Sequence, residues 1–350
     1  MIPPVFLRSP LPRASSFPVR AARRPVGFCP ADSGTLCNNT AVTGVIAVVL
    51  AALCFATTGT AQALADVDAS PLSVGAARIL IGGGILGAIA LVTRPLMPPA
   101  APSAEAAVAR RVPTWVIVTV GAIGVLAYQP TFFAGTRLNG VAVGTVIALG
   151  SAPIVTGILD ALIRRRMPSL RWGVATAIAL VGVVLVSGLV GGAGAAGVGP
   201  LGVLASLAAG ASYALYALAS KLLMDRGWSF QAAMGAVFGV AAVVSLPLLL
   251  ATSPGWLFTP AGLALALWLG VVTTAVAYLL FGWGLRRLAP TTVATLTLAE
   301  PLGATLLGVW VLHEHLTVAS AIGLVVLALG LVVLSLPTAR KEKTDVSAPA

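Results

Sequence analysis

Apolar runs of about 20 residues alternate with short polar connections along most of this chain. A helix rises 1.5 Å per residue, so it needs about 20 apolar residues to cross about 30 Å of hydrocarbon. The pattern predicts ten membrane-spanning helices, at residues 43–64, 71–93, 114–135, 139–162, 170–189, 200–222, 230–250, 260–283, 289–312 and 316–336. A β-barrel would instead show short segments of alternating hydrophobicity. We therefore expect an all-α, polytopic membrane protein.

Composition agrees with this interpretation and narrows the function. The 350 residues are 58% hydrophobic and 9% charged, whereas charged residues make up about a quarter of a soluble domain. The formal charge of +11 would suit nucleic acid, but the basic residues lie between the apolar runs, where membrane topology explains them. The cysteines show no metal-ligand spacing, and no phosphate-binding loop or nucleophile motif occurs. We expect no cofactor, no metal and no nucleic-acid partner.

The ends of the chain differ from its apolar body. Residues 1–41 are rich in Pro, Arg and Ser and lack the apolar core of a signal peptide. We expect this segment and the charged tail, 338–350, to be disordered and cytoplasmic. A mis-assigned start codon is the alternative explanation of the first segment.

The basic residues predict orientation. If alternate connections face the cytoplasm, starting with the N-terminal segment, all but two of the 21 Lys and Arg residues lie on that side. The two exceptions are Arg137, which faces outward, and Arg78, which lies within a span. This bias predicts cytoplasmic termini and an even number of spans in a bacterial inner membrane.

The two halves of the membrane region are similar to each other. Residues 153–187 align with 301–335 without a gap, and prolines, glycines and hydropathy stay in register. We therefore divide the region into two repeats, 42–190 and 199–337. Each repeat has five spans, so the second enters the membrane from the opposite side. Many secondary transporters follow this inverted plan, with a site near the midplane between the repeats.

Two runs carry a family resemblance. Residues 127–162 read AYQPTFFAGTRLNGVAVGTVIALGSAPIVTGILDAL, and residues 277–316 read AYLLFGWGLRRLAPTTVATLTLAEPLGATLLGVWVLHEHL. Each resembles the second part of an EamA repeat, the unit of the drug/metabolite transporter superfamily. The tandem repeats, the ten spans and Arg78 in the second span also fit. The resemblance implies transport of small metabolites, often driven by an ion gradient, and leaves the metabolite open.

The first repeat departs from the family pattern at two places. Such repeats usually carry an acidic residue just before the fifth span; the second repeat has Glu314 there, and the first has Arg166. A Glu-Pro pair in the second repeat corresponds to Ala152-Pro153 in the first. Acid chemistry therefore rests on the second repeat alone.

Glu300 is the main candidate for function. It lies in the middle of the ninth span and is followed by Pro301. A carboxylate at this depth is expensive to bury, and such residues usually mark a transport pathway. The proline frees a backbone carbonyl and loosens the helix at the same depth. We expect Glu300 to couple proton movement to transport; the alternative is a carboxylate held permanently by a neighbouring donor.

Arg78 and several aromatic residues complete the candidate site. Arg78 and Glu300 differ in depth by roughly 6 Å, at 1.5 Å per residue. Arg78 could pair with Glu300, hold an anionic substrate, or tie its helix to backbone carbonyls. Pro153 and Pro301 are the predicted sites of gating movement. The residues expected to line the cavity are Tyr128, Gln129, Tyr213, Tyr216 and Tyr278.

These features predict a proton-coupled exporter of a small metabolite, such as an amino acid or amine, that works by alternating access. The expected partners are the small-molecule substrate and the lipid bilayer; a homodimer stays open. An uncoupled facilitator is the alternative within transport. A membrane-embedded enzyme or sensor would need a nucleophile, a metal cluster or a sizeable soluble domain, and the sequence offers none of these.

The topology can be tested directly. A reporter fused after Pro337 should be cytoplasmic, and one inserted in the 191–199 connection should be external. The reason is that connections rich in Lys and Arg stay in the cytoplasm. Reporter activity in intact cells measures both. An external C-terminus would contradict the count of ten spans.

Overall fold

A computed structural model describes residues 34–93, 112–187, 199–313 and 317–336 of this chain, and these residues form a helical bundle without strands. Nine of its helices are long and apolar enough to cross a membrane, and a tenth, α5, is apolar but shorter. The helices are α1 Gly34–Ala65, α2 Pro71–Thr93, α3 Thr114–Asn139, α4 Val141–Arg164, α5 Leu170–Val186, α6 Pro200–Asp225, α7 Phe230–Leu250, α8 Pro260–Arg287, α9 Pro290–Val311 and α10 Val318–Ser335. A short 3₁₀ helix, Pro254–Phe258, precedes α8.

The ten helices match the ten predicted spans, with differences at their ends. The largest is α1, which begins at Gly34, inside the segment predicted to be disordered. The structure describes residues 34–41 as part of this helix, and the predicted disorder of the first segment stays a prediction. Residues 1–33, the tail 338–350 and Glu314 lie outside the described residues.

Helix α9 is broken in its middle, where the sequence predicted one continuous span. Its two segments are Pro290–Leu296 and Ala299–Val311. Pro301 has no N–H group with which to bond the carbonyl of Thr297. The N–H of Glu300 donates to that carbonyl instead, at 2.9 Å, in a tighter turn. By contrast, α4 continues through Pro153 without interruption.

Helix α8 contains a second irregularity, a π-helical stretch at Trp268–Val276. Such wider turns are rare and occur often at functional sites. The side-chain hydroxyl of Thr274 donates to the carbonyl of Leu269, five residues earlier, at 2.8 Å. Nothing in the sequence indicates this stretch, since its residues are as apolar as those of the neighbouring helical turns.

Helices α5 and α10 pack against each other in a symmetric, antiparallel pair. A Cβ added to Gly182 would lie 2.4 Å from the backbone nitrogen of Leu327, and one added to Gly330 would lie 2.7 Å from that of Ala179. With the repeat offset of 148 residues, Gly330 is the equivalent of Gly182, and Leu327 is the equivalent of Ala179. The second contact is therefore the repeat equivalent of the first.

Helices α2 and α7 form a second pair of this kind. Gly87 and Gly239 face each other, with an added Cβ on either lying 3.2–3.3 Å from the Cα of the other. The first helix of each repeat packs on the third and fourth helices of a repeat, but of the other one. Thus α1 packs on α8 and α9, and α6 packs on α3 and α4. Small residues at these crossings allow close backbone approach, as is common between membrane helices.

Polar contacts join the repeats at the end of the bundle where α4, α6 and α8 finish. The guanidinium of Arg164 donates to Asp160, at 2.6 Å, and to Asp225 of α6, at 2.8 Å. The ammonium of Lys221 donates to the carbonyl of Leu285 in α8, at 2.9 Å. The spacing of Asp160 and Arg164 predicts only a pair within α4. Because Arg164 also pairs with Asp225, it links α4 to α6 as well.

Packing at the α5–α10 pair can be tested with two alanine substitutions on one helix. Gly182→Ala forces a Cβ into the backbone of α10, so the melting temperature in detergent should fall, consistent with the roughly 1–3 kcal/mol cost of overpacking. Gly173→Ala is the control, because its Cβ would meet nothing within 4 Å and alanine favours the helix. Equal melting temperatures for the two variants would contradict the close approach.

Candidate functional site

A small cavity lies at the break in α9, between the two repeats. Its volume is about 50 Å³, which holds a few water molecules. Both repeats contribute to its wall. The lining residues come from α1, α2, α3, α4, α6, α8 and α9 and are Phe55, Arg78, Tyr128, Ala148, Leu149, Ala152, Tyr213, Tyr216, Tyr278, Thr297, Leu298 and Glu300. In this conformation the cavity is too small for a solute of the size of an amino acid.

Glu300 reaches the cavity because the helix breaks just before it. It lies in the first turn of the second α9 segment, where the helix dipole favours a negative charge. Its side chain is partly buried, and in the described part of the chain no basic nitrogen lies within 4.0 Å of its carboxylate. The carboxylate therefore faces the cavity without a direct ion-pair partner.

Arg78 lines the same cavity but is held by α8. Its Nε donates to Oγ1 of Thr274 at 3.0 Å, and its Nη2 donates to the carbonyl of Thr273 at 3.2 Å. Both acceptors belong to the π-helical stretch. These bonds use two of the five N–H donors of the guanidinium. Of the three roles considered from the sequence, the tie to α8 is the one formed in this conformation.

All four tyrosines of the chain line this cavity. The rings of Tyr213 and Tyr216 meet edge to face at a centroid distance of 5.1 Å, and those of Tyr216 and Tyr278 at 5.7 Å. The hydroxyl of Tyr278 donates to that of Tyr216 at 3.2 Å. Tyr128 lies across from them on α3. The result is a wall that offers both aromatic faces and hydroxyl groups.

One tyrosine is bonded to the helix break itself. The hydroxyl of Tyr213 and Oγ1 of Thr297 are 3.1 Å apart and share a hydrogen bond. Thr297 is also the residue whose carbonyl accepts from the Glu300 N–H. A change in the position of Tyr213 is therefore transmitted, through two hydrogen bonds, to the turn that carries Glu300.

Gln129 is not in this cavity, although the sequence grouped it with Tyr128. It lies in a separate pocket between α2, α3 and α7, with a volume of about 20 Å³, where its side chain packs on Gly75. Consecutive residues point about 100° apart around a helix, and on α3 this rotation turns Gln129 towards α2 and α7 and away from the cavity that Tyr128 lines. The sequence analysis also missed Phe55, for which no signal exists in an apolar span.

The two predicted hinge prolines each follow a residue that lines the cavity, in opposite repeats. Pro301 follows Glu300, and Pro153 follows Ala152, which lines the cavity at the equivalent position. In the same way Leu149 of α4 corresponds to Thr297 of α9. The backbone plan of the cavity is thus shared by the repeats, and its polar groups on these two helices come from the second repeat only.

Comparison with known proteins assigns the chain to a family. The model of the EamA-like transporter family matches residues 42–188 and again 200–336. The uncharacterized transporter YwfM of Bacillus subtilis (strain 168) is 38% identical over 299 residues, which cover 85% of this chain and 95% of that protein. A crystal structure that covers 83% of this chain and 95% of its own shares the fold, at a TM-score of 0.63 and 21% identity. This chain is therefore a multi-pass membrane protein of the EamA-like transporter family.

Proposed function

We propose that this transporter moves a small amine or amino acid across the bacterial inner membrane and exports it in exchange for protons. One observation carries the proposal: a carboxylate, a guanidinium and all four tyrosines of the chain meet at one cavity between the repeats. This position, in the middle of the bundle and next to a broken helix, is where secondary transporters bind their substrates.

The chemistry of the wall supports a substrate with an ammonium group. Aromatic faces attract an organic cation, and the attraction strengthens where water is excluded. The carboxylate of Glu300 would neutralise the same cation. If the substrate also carries a carboxylate, the donors of Arg78 that are not used by α8 are available to it. An amino acid would satisfy both charges of the cavity at once.

Proton exchange at Glu300 follows from the cost of burying a charge. With the ammonium group absent, a lone carboxylate in a small cavity is unfavourable, and taking up a proton removes its charge. With the ammonium group present, the ionised form is the better partner. Glu300 would therefore hold either a proton or the substrate, which couples the two movements. An uncoupled facilitator would leave Glu300 structural.

Gating would take place at the ends of the bundle and at the α9 break. Substrate entry requires the cavity to enlarge, and the turn at Thr297 and Leu298 has few helical hydrogen bonds to break. The ties of Arg164 and Lys221 must open if the cavity is to reach the end where α4 and α6 finish. The distribution of basic residues supports assigning this end to the cytoplasm.

The coupling role predicts a specific defect. Glu300→Gln should reduce pH-gradient-driven accumulation to the level of protein-free liposomes, while substrate exchange across the membrane continues, because glutamine keeps the shape and cannot carry the proton. Uptake of radiolabelled amino acids and amines by proteoliposomes measures both. Asp68→Asn, which removes an exposed carboxylate far from the cavity, is the control.

Normal gradient-driven accumulation by Glu300→Gln would remove this residue from the mechanism. Transport that ignores the pH gradient in the unmodified protein would instead favour the uncoupled facilitator.

Replacement of Arg78 by alanine should lower the melting temperature more than the same replacement of Arg137, the other arginine outside the cytoplasmic connections. Arg78→Ala removes two hydrogen bonds from a charged group to α8, each contributing about 1.5–3 kcal/mol, and leaves Glu300 as the only charge in the cavity. Arg137→Ala removes an exposed side chain and should change the melting temperature in detergent little.

The double variant Arg78→Ala/Glu300→Ala should melt higher than Arg78→Ala alone, because no uncompensated charge remains. An equal or lower melting temperature for the double variant would show that the two charges do not compensate each other.

A further inference from the structure

An open groove lies on the outer surface of the bundle, away from the central cavity. It has a volume of about 540 Å³ and is formed by α1, α2, α7 and α8. Its wall is mostly apolar and includes Ile46, which is 52% exposed. It lies at the end of the bundle where α1 and α7 begin and α2 and α8 finish. The groove therefore faces the bilayer near one of its surfaces.

Gln231 is the one side chain of this wall that has a buried polar atom without a partner among the described residues. The hydroxyls of Thr43 and Thr93 donate to carbonyls of their own helices. Oε1 of Gln231 is buried and has no partner. A buried acceptor left without a donor costs free energy, so its position indicates a ligand that donates a hydrogen bond beside an apolar chain.

Positive charge lies at the same end of the groove. Trp283 lines the groove, and the guanidinium of Arg287 lies 3.9 Å from the centre of its ring. Arg286 is exposed on the neighbouring position. Tryptophan with basic residues at the end of a membrane helix is typical of the level of lipid headgroups. The basic residues would attract an anionic headgroup, and the cytoplasmic leaflet is the anionic one.

We propose that this groove binds one anionic phospholipid. Its acyl chain fills the apolar wall, a hydroxyl of its headgroup donates to Oε1 of Gln231, and its phosphate faces Arg286 and Arg287. The N-terminal segment is a poor occupant, since the basic residues of 1–33 would be repelled by the two arginines.

Native mass spectrometry of the full-length protein tests the site. The detergent-purified transporter is titrated with dioleoyl-phosphatidylglycerol and, separately, with dioleoyl-phosphatidylcholine. We expect one molecule of phosphatidylglycerol to be retained at an affinity about tenfold above that of phosphatidylcholine. Ile46→Trp, which fills the groove, should abolish this retention, and Gln231→Leu should weaken it several-fold. Arg287→Gln should remove the preference for phosphatidylglycerol.

Two variants serve as controls. Val243→Trp places the same bulky ring on an exposed position of α7 outside the groove, and Arg166→Gln removes an exposed arginine from the α4–α5 connection. Both should retain the lipid as the unmodified protein does. Equal retention of the two lipids by the unmodified protein, or unchanged retention by Ile46→Trp, would overturn the proposal. If Ile46→Trp fails to fold, Gln231→Leu and Arg287→Gln decide the question.

Discussion

The lack of water in hydrocarbon is the constraint on which this structure depends. Each backbone N–H and C=O group at that depth needs a partner inside the protein, so irregular backbone is tolerated only where protein or a cavity surrounds it. The break in α9 meets this condition. The Thr297 carbonyl accepts from the Glu300 N–H, and its hydroxyl is bonded to Tyr213. The break in the helix is therefore also the place where the polar groups of α9 reach the cavity.

The two repeats share a backbone plan and divide the chemistry unequally. Glu300 and Ala152 occupy equivalent positions on the cavity wall, as do Thr297 and Leu149. Pro153 does not interrupt α4, whereas α9 is broken just before Pro301. Along α4 and α9, the first repeat thus contributes an apolar surface without a break, and the second contributes polar groups beside a break; Arg78 and Tyr128 add polar groups from other helices of the first repeat. Under the proposed function, this unequal distribution would hold a ligand in one orientation although the scaffold is nearly symmetric.

The sequence predicted what depends on hydropathy and on single costly residues. Ten runs of apolar residues became ten helices, because length and hydrophobicity decide which segments can cross a bilayer. Glu300 and Arg78 were found because a charge in an apolar run is conspicuous. The π-helical stretch of α8 and the contribution of Phe55 were not predictable, since both depend on how apolar helices pack and leave no trace in composition. Gln129 shows the remaining difficulty: helical phase, which a long apolar span does not reveal, separates it from Tyr128.

The glycine contacts between α5 and α10 have a consequence for movement. Gly182 and Gly330 are equivalent residues of the two repeats, and each approaches an equivalent residue of the other helix, so the crossing of α5 and α10 lies on the local two-fold axis. A rotation of one repeat against the other displaces contacts on this axis least. If the repeats exchange conformations, the same two contacts are rebuilt with their members interchanged, and the bundle opens to the opposite side. The packing on the axis is then the same before and after the movement. Any energy difference between the two states then comes from side chains that have no equivalent in the other repeat, above all Glu300 and the Arg164–Asp225 ion pair.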